Sequence, residues 1–207
     1  MNNNHSMTLK RKLMLASTSP YRCSLLERLG MPFTAVPPRF EEQIDPSLSP
    51  AELVKQLALG KAASLVPEYP DSIIIGSDQA LVSRGRIIGK PGSPERACEQ
   101  LREMAGGVHV FYTGLAVIDA ANGLRFCDCV PFSVTLRRLT ETEIRGYVSK
   151  ENPVDCAGSF KIEGLGISLM EKMEGDDYTA LIGLPLISLI SMLRRVGINP
   201  LLNNTGL

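Results

Sequence analysis

Apolar positions along this chain follow two alternating patterns, which are short continuous runs and helical spacing. Short apolar runs at Leu13–Ala16 and 73–76 predict two strands, and the segment 33–36 predicts another. The run at 73–76 begins with three isoleucines, and such a run is typical of a strand buried on both faces. Apolar residues three or four positions apart between these runs predict amphipathic helices.

Helix starts are marked by an N-cap hydroxyl followed by proline, at Ser19-Pro20, Ser49-Pro50 and Ser93-Pro94. Residues 49–52 and 140–143 also form capping boxes, in which a hydroxyl side chain and a glutamate bond each other's backbone. We expect the four helices to reach about residues 30, 66, 106 and 150. A last helix is predicted over 184–196.

Two longer strand-like runs, 108–119 and 124–136, flank the pair Asn122-Gly123, which predicts a β-hairpin. Residues 80–82 continue extended, and 86–88 are expected to return as a short strand. Strands and helices interleave along the whole chain, which predicts an α/β fold with a mixed sheet. The length of 207 residues fits one domain or two small lobes around a cleft.

Composition is that of an ordinary globular protein, with 44% hydrophobic and 21% charged residues. Lys plus Arg and Asp plus Glu number 22 each, so the formal net charge is zero. This balance disfavours a nucleic acid polymer or an anionic membrane as partner. A small anionic ligand in a pocket with a few cations fits better.

The location of the protein is also constrained by the sequence. No apolar run reaches the roughly 18 residues that span a bilayer, and the first residues do not resemble a signal peptide. We therefore expect a cytoplasmic protein. Residues 1–11 are expected to be a disordered leader, with Met7 as an alternative start, and 201–207 a tail.

Cysteine chemistry is not expected, because the number of cysteines is odd and their spacing matches no disulfide framework or metal motif. We expect free thiols in a reducing compartment. The five are Cys23, Cys98, Cys127, Cys129 and Cys156.

Asp78 is the first candidate for chemistry, because it follows the apolar run at 73–76. Ligand sites in open α/β sheets gather at the carboxyl ends of strands. Aspartate in a turn also commonly caps nearby backbone groups. The position alone leaves both interpretations open.

A second candidate is the hydroxyl-rich turn at 17–20, which precedes a helix. The backbone N–H groups at a helix N-terminus bind phosphate well. Arg22 in the first turn opposes the helix dipole unless an anion lies between them. A plain N-cap beside a solvated arginine is the alternative.

Other charged residues carry no signal alone. Lys61, Lys90 and Glu42 fit a solvated surface, and His109 in a predicted strand fits a structural role. No Walker A, paired-cysteine or Ser-His-Asp signature is present. The residues by themselves predict an anion pocket with carboxylates.

Taken in order, several short blocks resemble the Maf family of nucleotide pyrophosphatases over residues 12–200. The blocks are Leu15-Ala16-Ser17-Thr18-Ser19-Pro20-Tyr21-Arg22, Ile75-Gly76-Ser77-Asp78-Gln79, Gly89-Lys90-Pro91, Tyr112-Thr113-Gly114, Ala157-Gly158-Ser159-Phe160 and Gly183-Leu184-Pro185-Leu186. Each block is weak, whereas their ordered combination is highly specific. The resemblance implies one catalytic domain over 12–200. Its fold would be an elongated mixed sheet with flanking helices and two lobes around a central cleft, similar to inosine triphosphatases and commonly dimeric.

The resemblance also implies hydrolysis of a nucleoside triphosphate to monophosphate and diphosphate, with a divalent cation such as Mg²⁺, Mn²⁺ or Co²⁺. Asp78 would act as general base or metal ligand, and Glu42 would help to hold the metal. The substrate-binding residues implied are Ser17, Ser19, Arg22, Lys61 and Lys90.

Three further residues resemble the 7-methyl-GTP pyrophosphatase branch of that family, namely Tyr21, Gln79 and Glu163. N7 methylation makes guanine cationic, so an aromatic ring stacks on it favourably, and a carboxylate accepts its N–H groups. Tyr21 stands where that branch has Trp, and Cys23 replaces a second arginine. The resemblance implies that the first departure weakens stacking and that the second lowers phosphate affinity.

Two alternatives remain at this point. One is the same reaction on dTTP or UTP, and the other is a non-catalytic nucleotide-binding regulator of cell division.

Overall fold

A single mixed sheet of seven strands forms the centre of the computed structural model, which describes residues 11–202. The strand order is β2-β1-β3-β5-β6-β7, and β4 pairs with the end of β3. The strands are β1 (Leu13–Ala16), β2 (Thr34–Val36), β3 (Ile73–Ser83), β4 (Arg86–Ile88), β5 (Val108–Asp119), β6 (Leu124–Leu136) and β7 (Met170–Glu174).

Helices pack on both faces of the sheet, and their starts confirm the predicted caps. Ser19, Ser49, Ser93 and Thr140 each accept a backbone N–H, and both capping boxes form. The helices are α1 (Pro20–Glu27), α2 (Pro50–Ala63), α3 (Pro94–Met104), α4 (Glu141–Glu151), α5 (Tyr178–Ile182) and α6 (Leu186–Arg195). Two 3₁₀ turns lie at Ala157–Ser159 and Leu165–Leu169.

Strand directions confirm the predicted mixed α/β fold. β1 runs parallel to both β2 and β3, whereas β3, β5, β6 and β7 pair antiparallel. The β5–β6 hairpin has the predicted bounds. Apolar clusters cover both faces of the β1–β3–β5 half, and a third joins α3 and α4 to the far half of the sheet. Ala16 of the first part and Phe111 and Phe160 of the second line one cleft.

The expectation that a strand ends just before Asp78 is wrong. β3 continues for eleven residues, and Asp78 lies in its middle, paired with Gly114 of β5. The strand continues because the antiparallel ladder with β5 satisfies its backbone on one side. On the other side β1 pairs only as far as Ile75, so Asp78 lies just beyond the end of the parallel pairing.

Residues 157–182 contain four short elements that the sequence pattern did not indicate. They are the two 3₁₀ turns, β7 and α5. Each is three to five residues long, and β7 carries charged residues at three of its five positions. Elements this short show neither helical spacing nor clear alternation.

Most of the predicted leader and tail, 1–10 and 203–207, lie outside the described residues. Arg11 is described, and its guanidinium pairs with buried Asp119 at 2.5 Å.

Helix α2 lies unusually close to the sheet because the strands beneath it carry glycines. A Cβ on Gly76 would overlap the carbonyl oxygen of Ala58, and one on Gly114 would overlap that of Val54. Side chains at these two positions would therefore push α2 away from β3 and β5.

We predict that Gly114→Ala lowers the free energy of unfolding by about 2 kcal/mol, because the added methyl overpacks this interface. Gly146→Ala in α4 is the matched control, because its Cβ meets nothing within 4 Å. Alanine there should raise stability by about 0.5–1 kcal/mol through helix propensity. Denaturant unfolding of both variants measures the difference, and equal effects would contradict the close-approach explanation.

Candidate active site

One cleft of about 880 Å³ opens over the middle of β3. The β1–α1 turn, the loop before α2, the end of β4 and the segment around 155–163 surround it. All the residues predicted for the site line this cleft, namely Ser17, Ser19, Tyr21, Arg22, Glu42, Lys61, Asp78, Gln79, Lys90 and Glu163.

The floor of the cleft holds a buried lysine between two carboxylates. Lys61 is 7% exposed, and its Nζ lies 2.5 Å from Asp78 Oδ1 and 2.7 Å from Glu42 Oε1. Lys61 lies in the last turn of α2, which the small residues below bring close to β3. Its interpretation as a solvated surface lysine is therefore wrong.

Glu42 reaches this cluster from a loop that packs on α2. The ring of Phe40 fills the space beside Gly60, where a Cβ would overlap it. Gly60 immediately precedes Lys61 in α2, so this contact places the loop next to Lys61. The side chain of Glu42 remains 52% exposed, so it forms the solvent side of the cluster.

Arg22 is half-buried and is anchored by the carbonyl oxygen of Gly183. Its Nε donates to that oxygen at 2.9 Å, and Ser77 Oγ lies 2.8 Å from the same atom. Burial lowers the pKa of the Arg22 guanidinium, and the nearby carboxylates of Asp78 and Glu42 oppose that shift. The charge of Arg22 is thus directed toward the same region as Lys61.

The β1–α1 turn is organised by its own hydroxyl groups. Ser17 is 4% exposed, and its Oγ accepts from the backbone N–H of Ser19 at 3.1 Å. Ser19 in turn caps α1 by accepting from the backbone N–H of Arg22 at 3.5 Å. The turn therefore presents the N-terminus of α1 to the cleft.

Gln79 uses its amide group to join three elements. Its Nε2 donates to Thr113 Oγ1 at 3.0 Å on β5 and to the Ala180 carbonyl at 2.7 Å on α5. The side chain thereby ties β3 to the segment that carries Gly183. A threonine at this position would be too short to make the same connection.

Tyr21 faces a second group of polar residues. Its hydroxyl lies 3.5 Å from Asp155 Oδ2 and 3.8 Å from Cys156 Sγ. Lys161 Nζ lies 3.5 Å from Asp155 Oδ1, and Glu163 also lines this side of the cleft. The sequence prediction included Tyr21 and Glu163 but missed the other three. Their only signal was the adjoining block at 157–160.

The rim of the cleft combines charge with exposed apolar side chains. Lys90 is exposed just after β4. Ile44 and Ile87 line the same cleft and are 69% and 48% exposed. This rim suits a ligand with an apolar ring as well as charge.

The donor atoms of the cleft fit a hard divalent cation only together with a ligand. Within residues 11–202, no group of three or more His, Cys, Asp or Glu side chains could hold a metal. Glu42 and Asp78 nevertheless converge on one point, the ammonium of Lys61. Magnesium is commonly held by one or two carboxylates together with substrate phosphates, which this arrangement allows.

His109, which was expected to be structural, agrees with that expectation. His109 is 1% exposed, and its ring nitrogens contact Ser83 Oγ and the Met104 carbonyl. All five cysteines are free. Burial raises the pKa of the Cys156 thiol to about 11, so it is a neutral group in the cleft.

A second cavity, of about 600 Å³, lies between α3 and α4. Its arginines, Arg102 and Arg145, both bind Glu141 at 2.8–2.9 Å. Their charges are directed at a protein carboxylate, and this cavity lies on helices that do not carry the predicted site residues.

The mixed sheet and the cleft over its central strand define an α/β protein with a cleft that contains several charged side chains. The chain belongs to the Maf family, whose model, described as "Maf-like protein", matches residues 12–196. A relative in Syntrophotalea carbinolica named 7-methyl-GTP pyrophosphatase is 55% identical over 190 residues, covering 91% of this chain and 96% of its own.

Two solved structures are similar to this chain. A Ham1 protein from Staphylococcus aureus is 13% identical and aligns over 91% of this chain and 100% of its own, with a TM-score of 0.49. A HAM1 protein from Coxiella burnetii is 14% identical over 62% of this chain and 74% of its own, with a TM-score of 0.43.

None of the helices within 11–202 has the length and apolar character needed to cross a bilayer.

We predict that Lys61→Met lowers the free energy of unfolding by about 3 kcal/mol, because it leaves the largely buried carboxylate of Asp78 without its cation. Lys172→Met is the matched control, since Lys172 pairs with Glu174 at 2.7 Å on the exposed surface. That change should cost under about 0.5 kcal/mol. Denaturant unfolding measures both, and a loss for Lys61→Met as small as the control would contradict the role of burial.

Proposed function

We propose that this protein hydrolyses 7-methyl-GTP to 7-methyl-GMP and diphosphate, which removes a modified nucleotide. The observation that carries the proposal is the 55% identity to a relative named 7-methyl-GTP pyrophosphatase over 91% of this chain. The arrangement of cations, carboxylates and Tyr21 in one cleft supports it. The proposed catalytic domain covers residues 12–200.

The triphosphate would bind near Arg22 and Lys61, with the N-terminus of α1 and Lys90 adding contacts. Cations and backbone N–H groups positioned in advance stabilise the charge that develops on phosphate oxygens during displacement. Lys61 is held in place by Asp78 and Glu42. It therefore offers a fixed positive charge without the need to order a flexible side chain.

Asp78 would act as general base. A water oxygen attacks the α-phosphorus, its proton passes to the carboxylate of Asp78, and the bond from the α-phosphorus to the bridging oxygen breaks. Diphosphate then leaves with the electron pair of that bond. The ion pair with Lys61 orients the carboxylate for this task.

Glu42 and Asp78 would hold a divalent cation, which when bound supplies positive charge to the phosphate oxygens and lowers the pKa of bound water. Each carboxylate bonds Lys61 through one oxygen, Oε1 of Glu42 or Oδ1 of Asp78, and its second oxygen would serve as the metal ligand.

Base selection would rest on Tyr21, Glu163 and Gln79. The ring of Tyr21 would stack on the cationic methylguanine, and Glu163 would accept its N1–H and N2–H groups. Gln79 would act through the α5 segment, to which its amide is bonded. A neutral amide in place of Glu163 would suit a neutral pyrimidine better.

The protein would act in the cytoplasm as a homodimer, which is a proposal from the family resemblance. A monomer mass in sedimentation equilibrium would contradict the proposed homodimer. Cell fractionation that finds the protein outside the cytoplasm would contradict the proposed location.

Turnover of a panel of nucleoside triphosphates, measured by diphosphate release, tests the function. We expect 7-methyl-GTP to have the highest kcat/KM, above GTP, dTTP and UTP. Asp78→Asn controls for contaminating phosphatases, and its kcat should fall by about 10²–10⁴-fold because the general base is lost.

Faster turnover of dTTP or UTP would favour the pyrimidine alternative from the same family. Nucleotide binding without turnover in Mg²⁺, Mn²⁺ or Co²⁺, unchanged in Asp78→Asn, would favour the non-catalytic regulator.

We predict that Glu42→Gln raises the metal concentration needed for half-maximal activity by at least about tenfold, because a charged ligand becomes neutral. Isothermal titration with Mn²⁺ and a non-hydrolysable triphosphate analogue gives an independent readout. Glu41→Gln, the exposed neighbour, is the matched control. Full metal-dependent activity in Glu42→Gln would remove the proposed ligand role.

A further inference from the structure

The Tyr21 side of the cleft carries more negative than positive charge. Two carboxylates, Asp155 and Glu163, face one cation, Lys161, and all three line the cleft. Asp155 lies 3.5 Å from the Tyr21 hydroxyl and 3.5 Å from Lys161 Nζ. One carboxylate on this side is therefore in excess.

Charges around Lys61 are balanced by comparison, since Arg22 and Lys61 face Asp78 and Glu42. The cleft is thus negative on the Tyr21 side relative to the Lys61 side. A ligand with anionic phosphates and a cationic ring matches this separation. A neutral ring gains no attraction from the excess carboxylate.

Neither neighbour of Asp155 adds charge of its own. Burial and the contact with Cys156 raise the pKa of the Tyr21 phenol, so it stays neutral. Burial likewise keeps Cys156 as a thiol. The carboxylate of Asp155, 3.5 Å from the Tyr21 hydroxyl, places a negative charge beside the neutral ring, which strengthens the attraction of this side of the cleft for a stacked cation.

We infer that Asp155 is a specificity-determining residue of this site, which selects a cationic purine ring by acting on it directly and through the Tyr21 ring. The inference rests on the proposed function and deepens it. Lys161 acts in the opposite direction, because its ammonium offsets part of the charge of Asp155.

The test compares kcat/KM for 7-methyl-GTP with that for 7-methyl-7-deaza-GTP, which keeps the methyl group on an uncharged ring. Asp155→Asn should lower the ratio of the two kcat/KM values, because the charge that attracts the cationic ring is lost. The expected decrease is about fivefold, because solvent screens the interactions of a half-exposed carboxylate. Lys161→Met should raise the ratio about twofold by exposing the carboxylate of Asp155. Asp71→Asn, an exposed carboxylate outside the cleft, should leave it unchanged.

A folding defect changes both substrates in parallel and leaves the ratio intact, so the ratio isolates the charge effect. The inference is overturned if the wild type prefers the cationic substrate but Asp155→Asn keeps the wild-type ratio, or if Lys161→Met lowers it. A wild type that turns over neither methylated substrate overturns the proposed function instead, and with it the basis of this inference.

Discussion

The ion pair between the buried ammonium of Lys61 and the carboxylate of Asp78 is the interaction on which the cleft depends. Removing two charges from water costs several kcal/mol each, and their attraction repays this only in good geometry. The geometry requires α2 to lie against β3 and β5, which the glycines at 76 and 114 permit. A well-packed apolar pair would serve stability as well, so stability alone does not require the charged pair.

The carbonyl oxygen of Gly183 is a contact point that links Arg22 to the strand carrying Asp78. The Gly183 carbonyl accepts hydrogen bonds from Arg22 Nε and from Ser77 Oγ. Gln79 Nε2 donates to the Ala180 carbonyl in the preceding helix α5. Ser77 and Gln79, on either side of Asp78, therefore both fix the segment that positions Arg22.

Local chemistry made much of the fold predictable. Hydroxyl–proline pairs and capping boxes specify helix starts through backbone bonds a few residues away, and Asn122-Gly123 specifies the hairpin in the same way. The end of β3 was not predictable, because it depends on pairing with β5 from far along the chain. The burial of Lys61 was hidden for the same reason, since a lysine in a helix carries no sign of the sheet below it.

The candidate site was only partly visible in the sequence. Ordered blocks indicated the residues that line the cleft, although single residues such as Glu42 or Lys90 carried no signal alone. Asp155 and Lys161 lie in an irregular segment, and only the folded contacts with Tyr21 and with each other single them out. Polar residues outside regular elements are placed by tertiary contacts that sequence spacing does not report.

Hydrolysis of 7-methyl-GTP in ¹⁸O-labelled water, followed by mass spectrometry of both products, identifies the phosphorus that water attacks. Attack on the α-phosphorus predicts one labelled oxygen in 7-methyl-GMP and none in diphosphate. Label in diphosphate or in inorganic phosphate, with unlabelled nucleotide, would contradict the account by placing the attack at another phosphorus.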